Sequence, residues 1–174
     1  MAEREYLVLS AIGPDRPGLV AALTAAVAAA GGNVEDSRMA LLGGSFGIMM
    51  LLSGEPAEVA AMQAAAAGWE ASTSLRIHLE ATSAPQAGEA RRYHLEVEAA
   101  DREGIVHALA EALYELGGNI VNLSSALYPA PVSGAPLFRL ELAVDVPHSV
   151  ERQRLEGRLD ALAEAENLDC RVVA

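Results

Sequence analysis

The chain has 174 residues, a net charge of −12 and an isoelectric point of about 4.7. Because neutralisation of phosphates by Lys and Arg dominates nucleic-acid affinity, this acidic chain with no basic stripe is not expected to bind DNA or RNA directly. It has no signal-peptide pattern and no apolar run long enough to span a bilayer, so we expect a cytoplasmic protein without a membrane segment.

The first half of the chain predicts the order strand, helix, strand, strand, helix, strand. The elements are a strand at 6–12, a helix with Leu19, Leu23 and Val27 on its apolar face, strands at 34–42 and 46–52, a helix at 55–68 and a strand at 73–81. Asp15 is positioned to cap the first helix, and Pro17 is tolerated in its first turn. Gly31-Gly32-Asn33 ends that helix, and Gly43-Gly44 predicts a hairpin.

The second half predicts the same order of elements. They are a strand with Tyr93, Leu95 and Val97 on one side, a helix with Ile105, Leu109, Leu113 and Leu116 on one face, strands at 120–128 and 137–146, a helix at 150–164 and a strand at 168–173. Between the halves, the segment from Thr82 to Ala90 has turn residues and no periodicity. We therefore predict domains at 1–82 and 92–174, joined by a linker at 83–91.

Two motifs occur twice in the chain at one spacing. Asp15-Arg16-Pro17-Gly18-Leu19-Val20 returns as Asp101-Arg102-Glu103-Gly104-Ile105-Val106, and Gly31-Gly32-Asn33-Val34 returns as Gly117-Gly118-Asn119-Ile120, both 86 residues later (101 − 15 and 117 − 31). The repeat indicates two copies of one fold. The βαββαβ order is that of the ferredoxin-like plait, so we predict an α+β protein whose two antiparallel sheets each carry their helices on one face.

The repeated motifs resemble the ACT domain, a small regulatory module that binds amino acids. The matching features are a strand, then Asp-Arg-Pro-Gly-Leu-Val opening a helix, then Gly-Gly-Asn-Val opening the next strand. The segments from Asn33 to Ala40, at Phe46, from Met49 to Gly54 and from Ala130 to Phe138 are similar to tandem-ACT proteins of the glycine cleavage system transcriptional repressor type. The resemblance covers nearly the whole chain. It implies a regulator that acts through a DNA-binding activator protein and does not itself touch DNA.

In ACT domains the effector commonly lies near the first turn and the start of the second strand. A helix N-terminus offers unpaired N–H groups to a carboxylate, glycine lets a ligand approach the backbone, and asparagine both donates and accepts hydrogen bonds. The resemblance therefore carries ligand contacts to Asp15, Gly18, Leu19, Asn33 and Val34, and to Asp101, Gly104, Ile105, Asn119 and Ile120. Glu103 stands where the first copy has Pro17, and its charge disfavours a bound carboxylate, so the first turn is the preferred site.

Structural roles remain open for each of these positions. The two aspartates can be helix caps, the two asparagines can serve left-handed turns, and the glycines can act only in the backbone. Asp36 and Arg38 lie two residues apart on one strand face, which predicts a surface ion pair rather than a recognition site.

No catalytic site, metal site or cofactor is predicted. His78, His94, His107 and His148 are scattered without metal-ligand spacing. The single cysteine, Cys170, has no adjacent base, excludes an intramolecular disulfide and is expected to be a small buried hydrophobic residue. The glycine-rich turns match neither a Walker loop nor a dinucleotide-binding fingerprint. We therefore do not expect an enzyme.

The leading hypothesis is an amino-acid-responsive regulator, with glycine or serine as effector, that controls transcription through a protein partner such as a transcriptional activator. The alternatives are a regulatory subunit of an amino-acid metabolic enzyme, a ligand-free adaptor, and an enzyme fragment, since ACT-like domains also precede formyltetrahydrofolate deformylase domains. The hairpin loop from Pro129 to Pro136 is a predicted partner contact, because its prolines make it stiff and exposed. Edge strands of such sheets readily pair, which is compatible with a homodimer.

Overall fold

The structure, a computed structural model, describes residues 4–84, 90–130 and 134–173. The chain folds as two compact units, Met1–Gln86 and Ala87–Ala174, each with its own sheet and its own pair of helices. Among the described residues, no helix has the length and apolar character needed to cross a membrane.

The first unit has the predicted order βαββαβ. Its elements are β1 (Glu5–Pro14), α1 (Leu19–Ala29), β2 (Asn33–Leu42), β3 (Ser45–Gly54), α2 (Pro56–Thr73) and β4 (Arg76–Thr82). The four strands form an antiparallel sheet in the order β2-β3-β1-β4. Gly43 and Gly44, which join β2 to β3, have φ values of 56° and 81°, as a two-residue hairpin turn requires.

The second unit repeats this order. Its elements are β5 (Ala90–Ala100), α3 (Ile105–Tyr114), β6 (Asn119–Pro129), β7 (Pro136–Pro147), α4 (Arg152–Glu166) and β8 (Asp169–Val173). The strands form an antiparallel sheet in the order β6-β7-β5-β8. The predicted α+β fold with two ferredoxin-like repeats is therefore confirmed.

The core of each unit lies between one face of the sheet and the two helices. In the first unit, alternate residues of β1 and β3 pack with Leu19, Leu23 and Val27 of α1, which are each at most 2% exposed. In the second unit, the predicted apolar face of α3 is buried in the same way, together with three leucines of α4. Burial of these stripes is the main driving force for docking the helices on the sheets.

The second helix of the first unit is longer than the sequence predicts. The predicted helix end at Gly68 and strand start at Thr73 are wrong, because α2 continues to Thr73 and β4 begins at Arg76. Trp69 is only 7% exposed on this helix, and its burial outweighs the cost of about 1 kcal/mol for a glycine inside a helix. The helix ends at Ser74, which takes the left-handed conformation with φ 61°.

Two predicted segments lie partly outside the described residues. Strand β5 begins at Ala90, inside the segment predicted as a linker, and residues 85–89 are not described. The domain limits at 82 and 92 therefore stay predictions. Residues 131–133 of the hairpin loop from Pro129 to Pro136 are also not described, so its role as a partner contact stays a prediction.

Candidate functional site

The first turn of the first unit ends at a left-handed glycine. Gly18, with φ 90°, is the residue before α1, and its carbonyl accepts the first helical hydrogen bond, from the N–H of Ala22 at 2.9 Å. The N–H groups of the intervening helical residues have no acceptor within the helix. They form the positive end of the helix dipole, which favours a bound anion.

The predicted capping role of the two aspartates is wrong. The residues before α1 and α3 are Gly18 and Gly104, both left-handed, and neither helix has a side-chain cap. Asp15 and Asp101 lie three residues earlier in the chain, and each turn is instead fixed by its backbone. The Asp15 N–H donates to the Gly44 carbonyl at 3.2 Å, which ties the first turn to the β2–β3 hairpin. Pro17 likewise precedes the helix and is not part of its first turn.

A surface cavity of about 490 Å³ lies against this first turn. The start of α1 forms one wall, and the far end of β2 with the start of β3 forms the other. The lining residues are Asp15, Arg16, Gly18, Leu19, Val20, Ala21, Met39, Leu41 and Phe46. The cavity therefore combines an apolar wall with a helix N-terminus and one carboxylate, which is the usual make-up of a small-ligand site.

The structure divides the ten predicted contacts into two groups. Asp15, Gly18 and Leu19 line the cavity, whereas Asn33 and Val34 lie at the opposite end of β2. Asn33 is paired with Ser53, and Met39, the nearest cavity residue on this strand, lies six residues further along. At about 3.3 Å per residue, this places Asn33 roughly 20 Å from the cavity. One ligand at the first turn therefore does not reach both groups within the first unit.

The same separation occurs in the second unit. Gly104 precedes α3 and Ile105 begins it. Asp101 donates its N–H to the Pro136 carbonyl at 3.4 Å, at the hairpin end of the sheet. Asn119 and Ile120 begin β6 at the other end, where Asn119 is opposite Asp145.

The predicted left-handed role of the two asparagines is also wrong. Neither Asn33 nor Asn119 has a positive φ, because Gly31 (φ 85°) and Gly117 (φ 69°) already make the left-handed turn two residues earlier. The Asn33 side chain instead donates from Nδ2 to Oε1 of Glu35 at 3.0 Å.

Glu35 is the centre of a polar cluster at that end of the first sheet. It is the extra residue of a β-bulge between Val34 and Asp36. Ser53 donates from Oγ to its carboxylate at 2.5 Å, and an Arg4 guanidinium nitrogen lies 3.9 Å away. The Ser53 hydrogen bond, the Asn33 hydrogen bond and the Arg4 charge together lower the pKa of Glu35 below its ordinary value of 4.5. The bulge in the second unit carries Val121 instead, so this cluster belongs to one repeat only.

We expect Ser53→Ala to raise the pKa of Glu35 towards 4.5, because the substitution removes the largest of these stabilising contacts. In the wild type, a lowered pKa means that Glu35 stabilises the fold above its ordinary pKa and loses this effect as the pH falls through the lowered value. Side-chain carbonyl titration by NMR measures the shift. An unchanged pKa would show that the Ser53 hydroxyl does not hold the carboxylate.

Arg16 and Arg102 have matching structural roles that the motif alone did not reveal. Arg16 donates from Nη2 to the Ser72 carbonyl at 2.9 Å, near the C-terminus of α2. Arg102 donates to the Glu166 carbonyl at 2.8 Å and also to its carboxylate, at the C-terminus of α4. A cation at this end complements the helix dipole. The sequence signal for this shared role is that the two arginines recur 86 residues apart in the repeated motif.

Replacing Arg102 with methionine should lower the free energy of unfolding by about 1 kcal/mol, because the exposed guanidinium makes two charge-assisted contacts. Methionine keeps the aliphatic stem and removes the donors. Urea unfolding measures the change, and Arg154→Met, at an exposed position on α4, is the control. Equal stability of Arg102→Met and the control would contradict the role.

The groups considered for chemistry show no catalytic arrangement among the described residues. All four histidines are exposed, and no group of three or more His, Cys, Asp or Glu side chains in that part of the chain is placed to hold a metal ion. Cys170 is half-buried rather than fully buried. Burial, and then the charges of Asp160 and Asp169, raise its pKa to about 11, so the thiol stays protonated at neutral pH and is a weak nucleophile. Asp36 and Arg38 form the predicted surface ion pair.

Comparison with known families identifies the domain type of the first unit. The sequence model of the ACT domain family matches residues 5–84, which are the first unit. The first unit therefore matches the ACT domain, and the second unit repeats the same order of elements and strands.

Two curated relatives extend the similarity beyond the first unit. The glycine cleavage system transcriptional repressors of Escherichia coli (strain K12) and of Shigella flexneri are each 29% identical over 163 residues, or 93% of this chain and 86% of the relative. The predicted resemblance to this type of tandem-ACT protein is thus confirmed.

Solved structures show the same two-unit fold. A protein of unknown function from Galdieria sulphuraria is 33% identical, with a TM-score of 0.78 over 98% of both chains. A structure provisionally assigned as a glycine cleavage system transcriptional repressor is 24% identical, with a TM-score of 0.74 over 98% of this chain and 96% of that one. The second likeness concerns the fold alone.

Proposed function

We propose that this chain is an amino-acid-responsive regulatory protein that controls transcription indirectly, through a protein partner, and that it is not an enzyme. The support is the ACT fold, the similarity to transcriptional repressors over most of the chain, and the net charge of −12. Because its 24 acidic residues outnumber its 12 basic ones, control through a partner fits the composition better than direct binding to the phosphates of DNA. A cytoplasmic location is part of this proposal.

The effector site that we propose is the cavity at the first turn of the first unit. Its support is one observation: the unpaired N–H groups at the start of α1 lie beside Asp15 and an apolar wall. The N–H groups would receive the effector's carboxylate, and Asp15 would accept from its ammonium group. Glycine and serine are the first effectors to test, and the apolar wall also suits an aliphatic side chain.

The remaining predicted contacts fall into two groups, which we assign to different sites. Asp101, Gly104 and Ile105 form the equivalent turn of the second unit, where Glu103 places a negative charge beside the helix start. Asn33, Val34, Asn119 and Ile120 start the second strand of each unit, far from the first turn. We propose that these four contact a ligand other than the one held at the first turn of their own unit.

Calorimetric titration with a panel of amino acids identifies the effector. The panel includes glycine, serine, valine and leucine. We expect one amino acid of the panel to give a saturable heat of binding. A panel with no heat from any member would remove the effector from the proposal and favour a ligand-free adaptor.

Affinity capture with the full-length chain, with and without that amino acid, tests the partner. We expect an effector-dependent complex with a transcriptional activator. Capture of an amino-acid metabolic enzyme in its place would favour the alternative of an enzyme regulatory subunit. If neither an activator nor a metabolic enzyme were captured, the result would contradict control through a protein partner.

A further inference from the structure

Arg16 brings a positive charge to the cavity at the first turn of the first unit. Among the described residues that line this cavity, Asp15 and Arg16 are the charged ones, and the others are glycine, alanine or larger apolar residues. A free amino acid at neutral pH carries one carboxylate and one ammonium group. The cavity therefore presents one charge of each sign to a ligand that also has one of each.

The guanidinium of Arg16 retains unused hydrogen-bond donors. It donates from Nη2 to the Ser72 carbonyl at 2.9 Å, and the Ser72 hydroxyl donates elsewhere, to the Trp69 carbonyl at 3.1 Å. In the part of the chain that the structure describes, Arg16 forms no ion pair with a carboxylate. A guanidinium has five N–H donors in a planar fork that matches a carboxylate. The contact with Ser72 therefore leaves donors for an anion in the cavity.

The second unit shows what an arginine at this position binds when a carboxylate is within reach. Arg102, which lies 86 residues after Arg16, donates from Nη2 to the Glu166 carbonyl at 2.8 Å, as Arg16 does to the Ser72 carbonyl. The same nitrogen also donates to the Glu166 carboxylate and forms an ion pair with it. The second unit thus supplies a carboxylate to its arginine, whereas Ser72 in the first unit has none to offer.

We propose that Arg16 binds the carboxylate of the effector, and that Glu166 takes the place of that carboxylate in the second unit. Each chain then binds one effector through this contact. The inference rests on the proposed function and adds to it the residue that recognises the acid group. Arg16 acts together with the N–H groups at the start of α1, and Asp15 accepts from the ammonium group.

This assignment defines the chemical class of the ligand. A free α-carboxylate is required, so an amine or an amino-acid amide with the same side chain is a poor ligand. The second turn is unsuited to the same ligand, because Glu166 already occupies Arg102 and Glu103 adds a further negative charge near the start of α3.

Calorimetric titration of the full chain with glycine, serine, valine and leucine, each compared with its α-amide, tests the contact. The amide keeps the side chain and the ammonium group and replaces only the carboxylate, so the ratio of the two affinities reports on the acid group. We expect the wild type to bind one of these amino acids at one site per chain and to prefer it to its amide. In Arg16→Met, the acid should bind at least about tenfold more weakly, and its preference over the amide should fall by the same factor.

Arg102→Met is the matched control, because it removes the corresponding arginine and its contact with a helix carbonyl. Circular dichroism confirms that each variant is folded, and Arg102→Met should keep the affinity and the acid preference of the wild type. Arg16→Lys keeps the charge without the planar fork and should restore part of the preference that Arg16→Met loses.

The outcomes separate this inference from the proposed function on which it rests. If Arg16→Met bound the acid as the wild type does, or lost affinity for acid and amide equally, Arg16 would not bind the carboxylate, while the effector site itself would stand. Two equal sites per chain would overturn the role of Glu166. A wild type that bound none of the amino acids would contradict the proposed effector and this inference together.

Discussion

Replacing Leu23 with alanine is expected to lower the free energy of unfolding by about 2–5 kcal/mol. Leu23 is fully buried on the apolar face of α1, within the core cluster of the first unit. The substitution removes buried methyl groups and leaves a cavity that a close-packed core fills only in part. Urea unfolding followed by circular dichroism measures the loss.

The repeat provides a matched variant for this prediction. Leu109 lies 86 residues later, is 1% exposed and occupies the same place on α3. We expect Leu109→Ala to cost a similar amount, and Tyr114→Ala, at a side chain that is 79% exposed, to change stability by less than about 0.5 kcal/mol. If Leu23→Ala were as mild as Tyr114→Ala, Leu23 would not belong to the core.

Val20→Glu is expected to weaken effector binding at least about tenfold without loss of stability. Val20 lines the cavity in the first turn of α1, where the proposed carboxylate of the effector would lie. Two like charges at about 4 Å repel by roughly 4 kcal/mol at an effective dielectric constant near 20, and solvent reduces this at a half-open site. The new carboxylate itself favours the helix N-terminus by about 0.3–1 kcal/mol, so the fold is retained.

Val106→Glu is the matched control for that experiment. Val106 occupies the same position in α3 and is 39% exposed, against 41% for Val20. Calorimetric titration with the identified amino acid should show weak binding in Val20→Glu and wild-type binding in Val106→Glu. The reverse result would move the effector to the second unit, and two unaffected variants would exclude both first turns.

The apolar pattern predicted most of the fold because burial determined the elements. Leu19, Leu23 and Val27 recur at helical spacing and are all buried. Gly43 and Gly44 take the positive φ values that a two-residue hairpin needs. The repeat at 86 residues extended the same assignment to the second unit.

Local rules failed where a longer-range contact decided the outcome. Gly68 did not end α2, because the next residue, Trp69, is buried on the continuing helix. Asp15 did not cap α1, because the left-handed Gly18 already occupies the N-cap. The roles of Asp15 and Asn33 depend on which hydrogen-bond partners lie near them in the folded turns. The spacing of the motifs does not contain that information.

The sequence predicted the cavity residues of the repeated motif but not those contributed by β2. Gly18 and Leu19 follow from the motif, but Met39 and Leu41 line the cavity because β2 is an edge strand that runs past the start of α1. Their alternation along β2 was visible in the sequence, whereas the placement of that strand beside the helix start depends on the sheet order β2-β3-β1-β4.

The most direct test of the proposed function is thermal unfolding of the wild-type chain titrated with each amino acid, alongside Val20→Glu and Val106→Glu. Binding to the native state adds about 2.7 kcal/mol of stability at a ligand concentration a hundredfold above Kd. We predict that one amino acid raises the Tm of the wild type and of Val106→Glu equally, and that the stabilisation of Val20→Glu at the same concentration is at most about half as large. No shift with any amino acid, or an equal shift in all three proteins, would contradict an effector site at the first turn of the first unit.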